Sequence, residues 1–562
     1  MSEWEGPDVV RRPTARTRPR PRASRAERTH RLEAEEFDVL VVGGGINGAG
    51  IARDAAMRGL RTALVERDDF ASGTSSRSSR LVHGGVRYLE HGHLRLVFES
   101  SRERRTLLRI APHLVRPLRF TWPVYRGARV PKWKLTAGLF MYDALAVFRN
   151  VRNHRSLDAR EVLAQEPALR RDDLVGGAEY YDAATDDARL TLANVISAEM
   201  HDAVVLNHAP VTRLVRDGTR ISGAVASVDG TDVAIRARCV VNATGPWTDE
   251  LRALEGAPVS NAVRGTKGVH IAIPRERLAT QAALTLLSPI DGRVMFALPS
   301  TATTIIGTTD TRTDERPDAV RASDADIEYL LASADLFFPG AHLDQTDVVA
   351  AWAGIRPLVA SGFKHDAASA SREHQIDRST GGVISVSGGK LTTYRSMAAE
   401  VVDVVERALG RTPKRSPTDR DALPGGDVRS LDEALRAAEL EVGDAAIARR
   451  LVEAHGSGWH DVAAITAEEP ALARRLVRDL PYLIAEVVYA VEQELAMTLG
   501  DVLIRRLRVA YEVPDQGRSA SRVAAAILAG RLGWDNARCR VEIERYEAEI
   551  GRIFGKKREP SA

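Results

Sequence analysis

FDVLVVGGGINGAGIARDAAMRGLRTALVE, residues 37–66, decides the fold. Its first six residues form a Val-rich apolar run with the length of a strand buried in a parallel sheet. A glycine turn follows at 43–50, IARDAAMRGL reads as a helix closed near Gly59, and RTALVE is a second strand ending at Glu66. Together they make a βαβ unit of about 30 residues. Gly43, Gly45 and Gly48 spell G-x-G-x-x-G between strand and helix. Glycine is required there because the backbone must turn tightly and approach a pyrophosphate with no Cβ in the way. The helix N-terminus then offers free N–H groups and the positive end of its dipole to the phosphates. Glu66, 23 residues after Gly43, stands where a ribose-binding carboxylate belongs.

Outward from this unit the sequence favours FAD over NAD. Residues 72–90, SGTSSRSSRLVHGGVRYLE, supply hydroxyls and glycines soon after Glu66. They suit a long ligand that continues past its pyrophosphate to a flavin. No second dinucleotide fingerprint is evident. ARCVVNATG (237–245) is another strand running into a glycine turn, and GVISVSGGKLTTYRSMAAEVVDVVERAL (382–409) is a strand, a Gly-Gly turn and a long helix. A helix starting at SGGK can aim its dipole at the flavin N1–C2=O edge, which becomes negative on reduction.

Other stretches differ in texture. Residues 205–236 and 260–310 alternate apolar and polar as antiparallel strands do. Residues 92–150 read as mainly helical, and the chain is strongly helical after LPGG at 423–426. The predicted organisation is a disordered basic tail (1–35), a cofactor-binding part (about 36–90, 180–255 and 350–415), a substrate part interleaved with it (about 91–180 and 256–349), and a helical domain (416–562).

The 562 residues are enough for two to four domains. Two cysteines, Cys239 and Cys539, are too few for a disulfide framework or a structural zinc site, and no His/Cys spacing fits a metal. With no long apolar run and no secretory h-region, the expectation is a cytoplasmic protein without a membrane span. Residues 11–31 carry nine arginines and one acid, +8, in a chain of net +3, so the body is −5. An acidic body argues against a dedicated nucleic-acid binder.

The blocks TSSRSSRLVHGGVRYLEHG, APHLVRP, GLFMYD, DDARLTLAN, VNATGPW, IIGTTDT, GIRPL, SGGKLTTYR and LPGG, in that order, resemble the FAD-dependent glycerol-3-phosphate dehydrogenases. The resemblance runs from about Phe37 into the C-terminal domain and says nothing of the arginine-rich tail. It implies an α/β FAD-binding domain, Rossmann-like and similar to glutathione reductase and D-amino-acid oxidase. An interleaved antiparallel-sheet substrate domain and a C-terminal α-helical domain complete the expected fold. FAD contacts are assigned to Gly43, Gly45, Ile46, Asn47, Gly48, Glu66, Arg67, Thr74, Ser75, Ser79, His83, Gly84 and Gly85. Val211, Ala243, Gly245, Gly389, Lys390, Leu391 and Thr392 complete that set.

Arginine forks and a lysine point charge ask for an anion. The resemblance assigns Arg87, Tyr88, Arg356, Arg372 and Lys390 to a glycerol 3-phosphate pocket, with Lys267 nearby. The implied reaction moves hydride from C2 of sn-glycerol 3-phosphate to FAD and gives dihydroxyacetone phosphate. A base of near-neutral pKa is preferred, and His270 is favoured over His83, with Arg356 as its catalytic companion. Electrons are expected to pass to quinone at the inner face of the cytoplasmic membrane. An oxygen-dependent glycerol-3-phosphate oxidase, or an amine or amino-acid oxidase, is the alternative. Residues 122–143 mix Trp122, Tyr125, Trp133 and Phe140 with four cations, as an interfacial contact or a buried cap helix would. A homodimer is possible by resemblance alone.

Overall fold

A computed structural model of the chain describes residues 22–147, 150–256, 263–359 and 374–555. The strand Val39–Val42 lies near the middle of a six-stranded sheet. Its neighbours are Thr62–Val65 and then Val204–Leu206 on one side. On the other are Val240–Asn242, Ile384–Gly388 and the antiparallel edge strand His374–Arg378. Side chains alternate across a strand, so a sheet covered on both faces is apolar at every position. Val39, Val41, Leu64 and Val241 face the helices Ile46–Met57, Asp187–Met200 and Tyr394–Ala408. Leu40, Val42, Ala63 and Val65 face a four-stranded layer built from Glu36–Phe37, Val211–Asp217, Arg220–Val228 and Thr231–Ala237.

A larger, mostly antiparallel sheet stands beside the first. It includes Val263–Pro274, Thr303–Gly307, Val294–Pro299, Ala283–Leu287, Val115–Tyr125 and Leu174–Thr185. The helix Asp324–Asp335 packs on one of its faces. The strand Ala350–Val359, expected in the cofactor-binding part, pairs instead with Val263–Pro274. The expectation that residues 92–150 are mainly helical holds, with one interruption that it did not foresee. Helices Leu94–Ile110 and Lys132–Leu145 flank an 11-residue strand, Val115–Tyr125, in the centre of this sheet. Its Phe120, Trp122 and Val124 join the core of that sheet, a tertiary demand that local composition did not announce.

From Leu431 to Phe554 the chain is mainly helical, and its core merges with that of the large sheet. At the other end, the disorder expected for residues 1–35 is overturned for 22–35; residues 1–21 lie outside the described residues. Arg25–Ala34 is a helix opened by a Ser24–Glu27 capping box. Arg22 and Arg28 both pair with Glu199, Arg25 with Asp229 and Arg31 with Asp202. Leu32 is fully buried among Phe37, Val204 and Ile235. Of the arginines that suggest a solvated tail, the described ones, Arg22, Arg25, Arg28 and Arg31, find acids on the body's surface.

Truncating Leu32 to alanine should therefore cost about 2–5 kcal/mol, as for other buried leucines. Urea unfolding checks it, and an unchanged midpoint would mean that the helix does not pack.

Candidate active site

The carboxyl ends of the parallel strands open into a cavity of about 630 Å3 that extends beneath the large sheet. At its near end Gly43 has φ +109°, and a Cβ there would stand 2.7 Å from the Ala243 carbonyl oxygen. A Cβ on Gly48 would stand 1.8 Å from the Gly43 carbonyl oxygen, so helix and strand touch backbone to backbone. Gly45 begins the helix with no side-chain cap of its own, which leaves the amides after Ile46 to an incoming anion. Ser75 Oγ accepts the Ile46 N–H at 2.9 Å and holds that edge in place.

Glu66 Oε2 accepts the Gly44 N–H at 2.6 Å and Oε1 accepts the Asp68 N–H at 2.9 Å. Burial pushes this carboxyl upward, against the two amide donors. Such a carboxylate, at the cavity wall, suits the hydroxyls of a ribose. Arg67 lies 4.5 Å over the ring of Trp247, whose buried indole N–H has no partner among the described residues. Val211, Ala243 and Gly245 line the same end. An uncapped helix start, glycines that exclude any side chain, a ribose-suited carboxylate and a flat aromatic wall fit a dinucleotide.

The far end carries the cations. Arg356 donates to Asp310 Oδ1 at 3.1 Å, Thr309 O at 3.3 Å and Thr308 Oγ1 at 3.0 Å. Its guanidinium lies over Gly268, where a Cβ would meet Nη2 at 2.6 Å. Lys390 Nζ stands 3.6 Å above the Tyr88 ring and 3.4 Å from Ser100 Oγ. His83, Gly85, Gly389 and Leu391 line the cavity beside them. Gly84 and Thr392 brace that wall from behind. Gly84 N–H donates to Asp182 Oδ1 at 2.8 Å, and Thr392 Oγ1 donates to His83 O at 3.2 Å.

His270 faces this end, packed on Gly307, where a Cβ would strike Cδ2 at 2.3 Å. Its Nε2 is 2.8 Å from Ser79 Oγ. Burial, reinforced by Arg356 and Arg80, pushes its pKa down to about 3, so the imidazole is neutral across the physiological range. This departs from the near-neutral pKa expected of the base, because burial and two cations disfavour the charged ring; the cations can draw in a hydroxylated anion, and the neutral imidazole has a lone pair to accept a proton from it.

Most of the predicted residues converge on this cavity. Lys267 does not. On the strand Val263–Pro274, residues 266, 268 and 270 face the cavity side, and 267 faces away with the period of two. Its Nζ is bound to Asp326 Oδ2 at 2.6 Å in a buried ion pair, so its substrate-binding assignment is withdrawn. Arg372 lies outside the described residues, as does the side chain of Arg87. Sequence reasoning missed Trp247, Thr308 and Gly268, although the first two stand in the quoted blocks VNATGPW and IIGTTDT. Spacing does not reveal which of a block's residues turn inward.

Residues 38–403 match the model of the FAD dependent oxidoreductases, and 416–539 that of the C-terminal domain of alpha-glycerophosphate oxidase. Glycerol-3-phosphate dehydrogenase 2 of Mycobacterium tuberculosis is 38% identical over 94% of this chain and 90% of its own. The aerobic glycerol-3-phosphate dehydrogenase of Staphylococcus saprophyticus is 34% identical over 92% and 94%. The crystal structure of the glycerol-3-phosphate dehydrogenase of Bacillus halodurans complexed with FAD superposes with TM-score 0.79 at 32% identity, covering 95% of this chain and 99% of that one.

Gly48→Ala should yield protein with little bound flavin, because its Cβ meets backbone that cannot yield. The visible-to-ultraviolet absorbance ratio of the purified variant checks this; full flavin occupancy would contradict the turn's assignment.

Proposed function

Because this chain belongs to the FAD-dependent glycerol-3-phosphate dehydrogenases, we propose that it oxidises sn-glycerol 3-phosphate at C2 to dihydroxyacetone phosphate and passes the electrons to quinone. The observation that carries this reading is the far end of the cavity, where Arg356, Lys390 and His270 line one wall system. Bound at the glycine turn, FAD supplies the hydride acceptor; the rest falls to side chains.

Arg356, pre-aimed by Asp310 and Thr308, and Lys390 bind the phosphate. A fixed fork loses little freedom on binding, so the anion is held in one orientation. That orientation sets the C2 hydroxyl beside Ser79, within reach of His270 Nε2, which takes its proton. Burial keeps His270 uncharged between turnovers, and Arg356 raises the cost of charging it until the substrate dianion arrives. An amine substrate would have no use for two cations at this end.

Peripheral attachment to the inner face of the cytoplasmic membrane fits the helix Lys132–Leu145. Trp133 is 73% and Phe140 59% exposed, beside Met141, Lys132 and Lys134. Apolar rings flanked by lysines suit an anionic lipid surface. Trp122 and Tyr125, by contrast, are buried in their strand and take no part. No helix among the described residues is long and apolar enough to cross a membrane.

His270→Gln should lower kcat about 10²–10⁴-fold, the worth of a general base, while the flavin stays bound. Lys390→Ala should raise KM far more than it lowers flavin content. Anaerobic bleaching by sn-glycerol 3-phosphate and steady-state assays with a quinone analogue measure both. Faster turnover with oxygen than with the quinone analogue would replace the dehydrogenase reading by the oxidase one. In flotation with anionic liposomes the protein should rise with the vesicles, and Trp133→Glu with Phe140→Glu should leave it behind. Equal flotation of both proteins would remove this helix from the membrane contact.

A further inference from the structure

Among the described residues, none beyond Leu391 lines the cavity, so the C-terminal helical domain contributes no group to the reaction directly. One of its side chains nevertheless sits immediately behind the reaction centre. His270 and Trp352 are register partners on adjacent antiparallel strands, and their rings stack 5.4 Å apart at 13°. Trp352 also meets Tyr511, with ring centroids 5.1 Å apart at 88°. Tyr511 lies in the short helix Val509–Glu512 and is 1% exposed. Its hydroxyl donates to the carbonyl oxygen of Ser76 at 3.0 Å.

Ser76 ends the turn Thr74–Ser76, which serves the site twice. Ser75 holds the first amide of the dinucleotide helix, and Thr74 Oγ1 donates to Ile355 O at 2.7 Å, next to Arg356. The same segment is gripped again two residues on. Arg508, just before the short helix, is bound to Asp186 at 2.6 Å and to Asp187. Asp187 in turn accepts the Ser78 hydroxyl at 2.6 Å and its N–H at 3.1 Å. Ser79, the partner of His270, is the next residue.

We propose that Tyr511 is a positioning residue through which the C-terminal domain sets the reaction geometry. Its ring holds the Trp352–His270 stack, and its hydroxyl holds the flavin-side turn at Ser76. This rests on the reading of His270 as the base. A stack of buried rings with one edge-on member resists sliding, because displacement costs both contact area and quadrupole alignment. Displacement of about 1 Å in a reacting group costs up to about 10²-fold in rate, so loss of the backing ring is expected to register in kcat. The charged groups facing His270 are Arg356 on the strand of Trp352 and Arg80 of the turn region. Arg80 lies 4.9 Å from the Tyr511 ring, so it too is placed by this tyrosine.

The test compares Tyr511→Leu, Tyr511→Phe, Trp352→Phe and His270→Gln as flavin-loaded enzymes. Tyr511→Leu should lose about tenfold in kcat with KM nearly unchanged. Its kcat should also acquire a higher apparent acid pKa, as the loosened imidazole gains water. Tyr511→Phe keeps the ring and should restore kcat and the pH profile. It should lose only the Ser76 anchor, seen as a several-fold higher FAD dissociation constant. Trp352→Phe should repeat the fall in kcat, and it decides the matter if Tyr511→Leu does not fold. Normal kcat and pH profile in a folded, flavin-loaded Tyr511→Leu or in Trp352→Phe would overturn the proposal. So would a catalytic loss in Tyr511→Phe equal to that in Tyr511→Leu. A fully active His270→Gln would instead remove the base assignment itself, whatever the tyrosine variants do.

Discussion

Everything at this site depends on one close approach, backbone against backbone, where the first strand, its helix and the 243–245 turn meet. Gly43 and Gly48 leave no room for a methyl group, and Gly45 leaves the helix start uncapped. The helix dipole and the amides after Ile46 can then act on a diphosphate at contact distance rather than across a side chain. The parallel sheet beneath is buried on both faces, which makes this edge rigid enough to hold such a geometry.

The second constraint is the period of two along the strands of the large sheet. It turns His270 and Gly268 toward the cavity and Lys267 toward Asp326. Glycines again make the room: Gly307 admits the imidazole and Gly268 the Arg356 guanidinium. Bulky polar groups are thus seated against bare backbone, which fixes them with few degrees of freedom.

The third is a set of buried ion pairs that lock the helical domain to the rest. Asp69 is held by Arg505 and Arg506, Asp187 by Arg508, and Glu494 by Arg189. Such pairs barely repay their desolvation in stability, but breaking one leaves a buried charge alone. Their geometry therefore specifies where the domain sits more than how strongly it folds. Asp69 and Asp187 both neighbour the flavin-binding segments, so docking of the domain and shape of the site are set together.

The βαβ unit, the glycine fingerprint, the strand at 237–245 and the SGGK turn before its long helix were legible in the letters. Each is decided by local periodicity and by glycine's lack of a Cβ. The strand Val115–Tyr125 was not legible, because its place was decided by partners far along the chain, from Leu174 onward. The N-terminal helix was misread because arginine-rich composition signals solvation unless acids elsewhere are known to face it. The sequence alone determined the cofactor class and the kinds of group that line the cavity. Which of those groups share one wall, that Lys267 is spent on Asp326, and that Tyr511 stands behind His270, only the tertiary structure decided. Those facts depend on strand register and domain docking, which arise from contacts between residues far apart in the chain.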